Sequence, residues 1–472
     1  MSRNKPEIQT SPQSVHHFSL PAYQIFAPTG LIQIKGLYHL FLLKKALNHI
    51  EGAIEWAHLE SNNLLHWKEQ KAIVTESKKG QIYSGYVIYD HKNTSGLGNS
   101  SRYPLIAIYN NKQSESSFYL MYSKDQGVTW ENYSKGHVLD TKRSTSADPF
   151  IFWHDASAKW IMLITVPNEY KVQFYASKNL IKWDFISDFG GHPSFNKKWT
   201  HATLALCQSN QNKEIFKWVL MIGMSEGDIC NRYFVGEFDG KSFKCDHALD
   251  TLLRIDYGKD FYAPTMCTMQ GYQGVILTGQ CCHPKYQEIL PTHGWKGMLT
   301  LPHILHVGRE ADGTFRLVHS WVGSWVEQRN TGYEFSKSSM TNEVEWAVPV
   351  TDEMEFDLLI DSHKGCTIEF DFGSKTKLLL TWDVIHHTMT LDRTSKNLGF
   401  DPAYYSLDHA TISNGHILSI KIILDKYSIE ILADGGRVSM TSLLFSPHPL
   451  QRFRIIGKQF AAGGKIWSLG KH

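Results

Sequence analysis

Residues that could bind a metal or move a proton form few patterns along this chain. Cys281 and Cys282 are adjacent and followed by His283; with His201 they are a set of thiols and imidazoles that a closing fold can bring to a zinc ion. Adjacent cysteines do not easily take two tetrahedral positions on one ion, and the C-x-x-C spacing of structural zinc sites is missing. No metal site is therefore expected, and no cofactor. His201 can also act as a proton donor, because imidazole titrates near neutral pH.

The charge pattern narrows the partners. With 48 basic against 46 acidic side chains and a formal net charge of +2, nothing favours nucleic acid or an anionic membrane. The expected ligand is a neutral small molecule, and a protein partner or a homo-oligomer is left open. The seven cysteines are odd in number and scattered from Cys207 to Cys366, which suits a reducing compartment rather than a disulfide framework. The segment from Met1 to Ser14 is polar and lacks the apolar core of a secretory signal, so a cytoplasmic location is expected. The sequons at Asn93, Asn99 and Asn132 then carry no weight.

Around these residues the chain reads as strands and turns. Apolar and aromatic runs such as Tyr38-His39-Leu40-Phe41 and Lys159-Trp160-Ile161-Met162-Leu163-Ile164 are broken at short intervals by Gly, Asn, Asp and Ser, and few segments show a helical period. A weak repeat runs from Ser61 to Trp67, from Ser123 to Trp130 and from Ser177 to Trp183. Each copy is a Ser, a polar turn and a Trp able to cover a sheet, and recurrence on this scale predicts propeller blades. A polar stretch, 336–345, reads as a linker. Beyond it, Lys377 to Thr381 with Thr388 to Asp392, and Ser428 to Leu432 with Arg437 to Leu443, read as hairpins with one buried face, hence a sandwich. The expected organisation is a flexible N-terminus over 1–15, a propeller over 16–335, the linker, and a β-sandwich over 346–472.

Several segments in order resemble glycoside hydrolase family 32, the invertases, levanases and inulinases. They are Pro28-x-Gly30-Leu31-Ile32, Tyr38 to Phe41, Trp56-x-His58, Tyr83-Ser84-Gly85, Asp148-Pro149, Asp256 to Ala263, and Pro291 to Pro302. In the last domain, Leu391-Asp392-Arg393 and the stretch from Leu424 to Ile431 continue the match. The resemblance implies an all-β protein, a five-bladed β-propeller followed by a C-terminal β-sandwich. It also implies retaining fructoside hydrolysis, in which one carboxylate attacks the anomeric carbon while a second protonates the leaving oxygen, the two roughly 5 to 5.5 Å apart.

This chain departs from the family at those groups. Ala27 stands at the nucleophile's position in Gln24-Ile25-Phe26-Ala27-Pro28-Thr29-Gly30, and Thr200 at the acid/base position in Trp199-Thr200-His201. Only the third acid, Asp148, remains, preceded by Ala147. Leu43, Tyr86 and Gln280 are further departures. The resemblance therefore implies a protein that has lost fructoside hydrolysis and binds a sugar or another partner. Asp148 is the polar anchor, Trp56 and Tyr262 are stacking surfaces, and Tyr83, Ser84, Lys259 and Asp260 are further substrate contacts. The rival expectation is catalysis relocated to Glu55 paired with Asp148, with His201 as proton donor.

Overall fold

Short runs of β-branched and aromatic residues punctuated by polar turns leave little choice but antiparallel meanders, and the computed structural model shows six sheets built that way. It describes residues 13–47, 54–73, 82–99, 102–143, 145–191, 197–226, 229–268, 274–336, 341–345, 351–395, 400–413, 415–446 and 448–470.

Five of the sheets are blades. Blade I runs Tyr23–Ile34, Leu37–Ala46, Ile54–Ser61 and Lys68–Glu69 from the inside outward. The inner strands of blades II to V are Ile82–Tyr89, Ala147–His154, Trp199–Gln208 and Phe261–Thr268. Each inner strand touches the next, and that of blade V returns to that of blade I, so the five close a ring. The segment 294–296 seals the closure, because Ile25 N donates to Lys296 O at 2.9 Å and Ala22 N to Gly294 O at 2.6 Å. A continuous core runs through blades II to V, including Trp199, Phe174 and Phe234, each at most 1% exposed. Burying each such ring contributes about 1.5 to 3 kcal/mol.

The sequence repeat marks one turn of the blade. Ser61, Ser123 and Ser177 end the third strands of blades I to III, and their hydroxyls accept amide protons from the turns that follow, at 2.8 to 3.2 Å. In blade IV the same turn is built by Asp239, whose carboxylate accepts the amides of Lys241 and Ser242 at 2.8 Å. Asp239 stands where Asn63 and Asn179 accept the same two amides in blades I and III, while Phe238 and Phe243 replace the repeat's Ser and Trp and so hide that copy from the sequence pattern.

The remaining sheet folds over itself into two layers. Its hinge is the 18-residue strand Arg452–Leu469. The first half of that strand pairs with Cys366–Asp371 and Thr341–Glu345, and the second half with Met354–Ser362 and Arg329–Ser336. Between the halves Gln459 takes a positive φ of 53°, where the strand bends from one layer to the other. The apolar faces of both layers enclose one core around Phe356, Phe370 and Phe453. Both expected hairpins are present, with Thr381 opposite Thr390 and Ile431 opposite Met440.

Two boundaries differ from the sequence reading. Strands Arg329–Ser336 and Thr341–Glu345 already belong to the sandwich, so the polar stretch 336–345 is not a spacer. Its Ser, Thr and Asn composition reflects a solvated outer strand; residues 337–340 lie outside those described. Of the N-terminus expected to be flexible, residues 1–12 also lie outside them, but the hydroxyl of Ser14 and the amides of Val15, His16 and His17 all donate to Asp425 of the sandwich.

Candidate functional site

All five inner strands slip register near their starts: at Ile25 to Gly30, Ile82 to Ser84, Ala147 to Phe150, Thr200 to Thr203, and Tyr262 to Thr265. A bulge re-aims the side chains beside it, so one mouth of the ring carries five re-aimed positions. Three of these bulges hold a non-glycine residue at positive φ: Asp148 at 52°, His201 at 49° and Ala263 at 47°. Such conformations cost on the order of 1 kcal/mol or more each and concentrate where a site is being shaped.

Asp148 is fixed from both sides. Its amide donates to Ser84 Oγ at 3.1 Å, and Ser84 in turn donates to Asn110 Oδ1 at 2.8 Å. Its carboxylate accepts the His201 amide at 3.0 Å and faces Thr165 Oγ1 at 3.5 Å. The His201 ring lies edge-on to Tyr262 with centroids 5.3 Å apart, and its Nδ1 is 3.8 Å from the Asp148 carboxylate, buried and without a hydrogen-bond partner. The Tyr262 hydroxyl and Thr200 Oγ1 are 3.4 Å apart.

The electrostatics tie the group together. Burial pushes the Tyr262 phenol up to about 12, and the negative charge on Asp148 adds to that rise. Tyr83, which is 42% exposed, is also raised, first by burial and then by the charges of Asp148 and Glu115. Asp148, Thr200, His201, Tyr262 and Tyr83 therefore form one linked, partly exposed group at this mouth of the ring. Phe26 and Ala27, also partly exposed, belong to the bulge at the same mouth.

Other expected contacts are elsewhere. Glu55 is on the third strand of blade I, opposite Lys44, whose ammonium it meets at 3.5 Å and which also binds Glu69 at 2.5 Å. The structure does not pair Glu55 with Asp148, because a buried lysine claims it first. Trp56 is fully buried and cannot stack on a ligand: its Nε1 donates to Thr29 Oγ1 at 2.5 Å and its ring fills the space above Gly85. Asp260 is buried at the domain interface, where it accepts from Arg393 Nη1 at 2.6 Å, from the Tyr286 hydroxyl and from the Leu443 amide at 2.8 Å. Lys259 belongs to the same interface segment, and its charge acts on His283 and Asp408.

Cys281, Cys282 and His283 sit at this interface beside Tyr286, and burial holds both thiols well above their usual range. Among the described residues, the donor groups close enough to share an ion are His39, His58 and Glu60, and Asp361, His363 and His416; neither set includes these cysteines. All seven cysteines are free thiols.

Sequence reading missed Thr165, Asn110 and Glu115. They lie on second and third strands, where no motif marks them, and only the folded blades bring them behind Asp148 and Tyr83.

With this geometry in view, comparison with known proteins shows two family models in chain order. Glycosyl hydrolases family 32 N-terminal domain matches residues 17–331, and Glycosyl hydrolases family 32 C terminal matches residues 317–468. The chain is similar to the levanase of Bacillus subtilis (strain 168), 26% identical over 97% of this chain and 69% of the relative. It is also similar to the extracellular exo-inulinase of Aspergillus awamori, 26% identical over 91% of this chain and 89% of the relative. Among solved structures, exo-inulinase from Aspergillus awamori superposes with a TM-score of 0.87 at 23% identity, covering 98% of this chain and 99% of that one. The β-fructofuranosidase from Schwanniomyces occidentalis complexed with fructosyl-erythritol does so with 0.88 at 23% identity, covering 98% and 99%. At such identities these superpositions establish the propeller and sandwich.

Proposed function

Because the chain belongs to glycosyl hydrolases family 32, we propose that it binds fructosides in the pocket around Asp148 without hydrolysing them. The observation that carries this reading is the set of residues on the inner strands at the bulged mouth: Ala27, Asp148 and Thr200. Retaining hydrolysis needs an attacking carboxylate and a second carboxyl that passes a proton, about 5 to 5.5 Å apart. An alanine methyl cannot attack. The Thr200 hydroxyl, at hydrogen-bonding distance from the Tyr262 hydroxyl, is far too weak an acid to protonate a leaving oxygen near neutral pH.

Asp148 supports binding. Its backbone and one carboxylate oxygen are held by Ser84 and His201, and the side chain is 18% exposed, so it can accept from sugar hydroxyls. The Tyr83 and Tyr262 hydroxyls, kept protonated by burial and by the Asp148 charge, are donors beside it. His201 Nδ1 is a further polar atom awaiting a partner.

The test is fructose release from sucrose, inulin and levan at high protein concentration over a long incubation, with Asp148→Asn prepared in parallel, together with calorimetric titration of the same sugars. The expected result is no release above the Asp148→Asn control. Binding should weaken roughly 10- to 100-fold in that variant, the loss of about 1.5 to 3 kcal/mol expected for a hydrogen bond to a charged group. Release that Asp148→Asn abolishes would make the protein a working glycosidase with an unrecognised nucleophile.

A further inference from the structure

The ring of inner strands has a second mouth, and its chemistry is the opposite of the first. A cavity of about 780 Å³ opens between the later halves of all five inner strands, residues 31–33, 86–89, 150–154, 204–206 and 266–268. At about 3.3 Å per strand residue, its lining on the inner strand of blade III runs from Phe150, roughly 7 Å along from Asp148, out to His154, roughly 20 Å along. Its size falls within the roughly 300 to 1,000 Å³ of small-molecule sites.

Aromatic rings make the walls. Phe152, Trp218 and Phe238 form a mutually tilted set with centroids 5.5 to 6.3 Å apart, and Trp153 meets Trp160 edge-on at 5.3 Å. Apolar surface continues to the rim, where Leu206 is 40% and Phe216 39% exposed to solvent. Single exposed apolar side chains are ordinary, but two that continue an apolar cavity mark a binding surface.

Three of the polar side chains around the cavity are already engaged, and Gln33, Tyr89, His91 and Thr268 also line it. Asp155 accepts from Trp153 Nε1 at 2.8 Å, Asp239 caps the turn that follows it, and His154 Nδ1 pairs with Ser157 Oγ at 2.8 Å. No lysine or arginine is among the described residues lining the cavity; the cation beside it is Lys92, whose ammonium lies 4.3 Å over the Trp153 ring, against two rim carboxylates, Asp155 and Asp239. A sugar, which needs a hydrogen bond for each hydroxyl it buries, is less well matched than an apolar ring to a lining so dominated by aromatic and aliphatic side chains.

We propose that this cavity is a second binding site, for an uncharged, ring-bearing molecule with a mostly apolar surface. The site is independent of the fructoside reading, since it shares no side chain with the pocket around Asp148.

The test uses two dyes that differ by one charged group: neutral N-phenyl-1-naphthylamine and its sulfonated analogue 8-anilinonaphthalene-1-sulfonate. The neutral dye should bind once per chain with a dissociation constant of about 10 µM or tighter, a modest efficiency for its size. It should quench tryptophan emission through Trp153, Trp160 and Trp218. The sulfonate should bind at least about tenfold more weakly, because the carboxylates of Asp155 and Asp239 at the rim outnumber the single ammonium of Lys92.

Leu206→Glu, at an exposed position, should weaken the neutral dye tenfold or more with the melting temperature unchanged. Ala205→Trp, which fills the cavity from its wall, should abolish binding. Four outcomes would overturn the site: no saturable binding, several weak equivalents per chain, tighter binding of the sulfonate, or binding that survives both substitutions. A concentration-dependent dimer that Leu206→Glu dissociates, in protein that does not bind the dye, would assign the surface to a second copy and overturn the proposal as well.

Discussion

At the residue scale, the proposed loss of hydrolysis turns on two side chains, Ala27 and Thr200, and replacing them should not by itself restore the site. Ala27→Asp with Thr200→Glu returns two carboxyls to the expected positions. The neighbours are nevertheless changed: Phe26 and Leu43 join an apolar cluster, Ala147 has no side chain able to orient a sugar, and Thr200→Glu removes the hydroxyl facing Tyr262. Since misplacement by about 1 Å costs on the order of 10²-fold in rate, the double variant should release fructose at least about 10²-fold more slowly than an intact family member. An initial-rate assay on sucrose and levan checks this, and a rate within tenfold would show that the pocket is less altered than its neighbours imply. The motifs made positions legible but not partners. Asp148 is legible because it keeps its motif; the partners of Glu55, Trp56 and Asp260 are not, because Lys44, Thr29 and Arg393 meet them only across the strands of blade I or between domains.

At the element scale, the site depends on how closely neighbouring blades approach. Gly85, on the inner strand of blade II, shows why that strand carries Ser84-Gly85. A Cβ there would fall 2.6 Å from the Trp56 ring and 2.9 Å from Tyr109 Cβ. Trp56 is pinned to Thr29, so it cannot retreat. Gly85→Ala should therefore destabilise the fold by about 1 to 3 kcal/mol, as overpacking of a filled core does. It should also weaken sugar binding, because Ser84, which anchors the Asp148 amide, moves with it. Thermal melting and sugar titration of the same variant check both; unchanged values would mean that the blade I and II interface has slack. Strand existence and the blade repeat were legible because period, turn chemistry and Trp placement agree. The five bulges were not, since a register slip leaves no mark on alternation, and the strand Thr341–Glu345 was lost because solvated outer strands are as polar as linkers.

At the scale of the whole molecule, propeller and sandwich are joined by buried polar locks. In one, the segment 256–260 adds itself to the strand Val438–Leu443: Tyr257 N donates to Ser439 O at 2.8 Å and Asp260 N to Thr441 O at 3.0 Å. In the other, His17 is fully buried between Asp425 at 2.7 Å and Glu430 at 2.9 Å, and Glu430 also accepts the Leu301 amide at 2.8 Å. Burial alone would lower His17, but the two carboxylates outweigh it and raise the imidazole from 6.5 to about 9. A raised folded-state value stabilises fully below the unfolded value, and that contribution is lost as pH climbs from 6.5 through 9. Burial of the carboxylates acts in the opposite sense to their partners. His17, with Ser14 on Asp425 and His303 on Glu430, prevails and holds both acids below their usual range, so their contribution is lost as pH falls below about 4. Asp256, raised by burial to about 6, loses its contribution as pH rises from about 4 to 6. Other groups act in the alkaline window: histidines that burial lowers, His39, His58, His283 and His319 among them, finish gaining stability as pH rises past 6.5, and buried thiols such as Cys281 and Cys282 begin to lose it as the thiols of the unfolded chain ionise near about 8.5. His17 is isolated by the difference between the wild type and His17→Gln, in which those groups are unchanged. The variant, which leaves two buried carboxylates without their cation, should be less stable by about 3 to 5 kcal/mol near pH 6.5, and that gap should narrow as pH climbs to 9. Denaturation of both proteins at half-unit intervals of pH checks this: a gap that stays constant across the window would show that His17 is neutral in the fold and that the lock holds by hydrogen bonds alone.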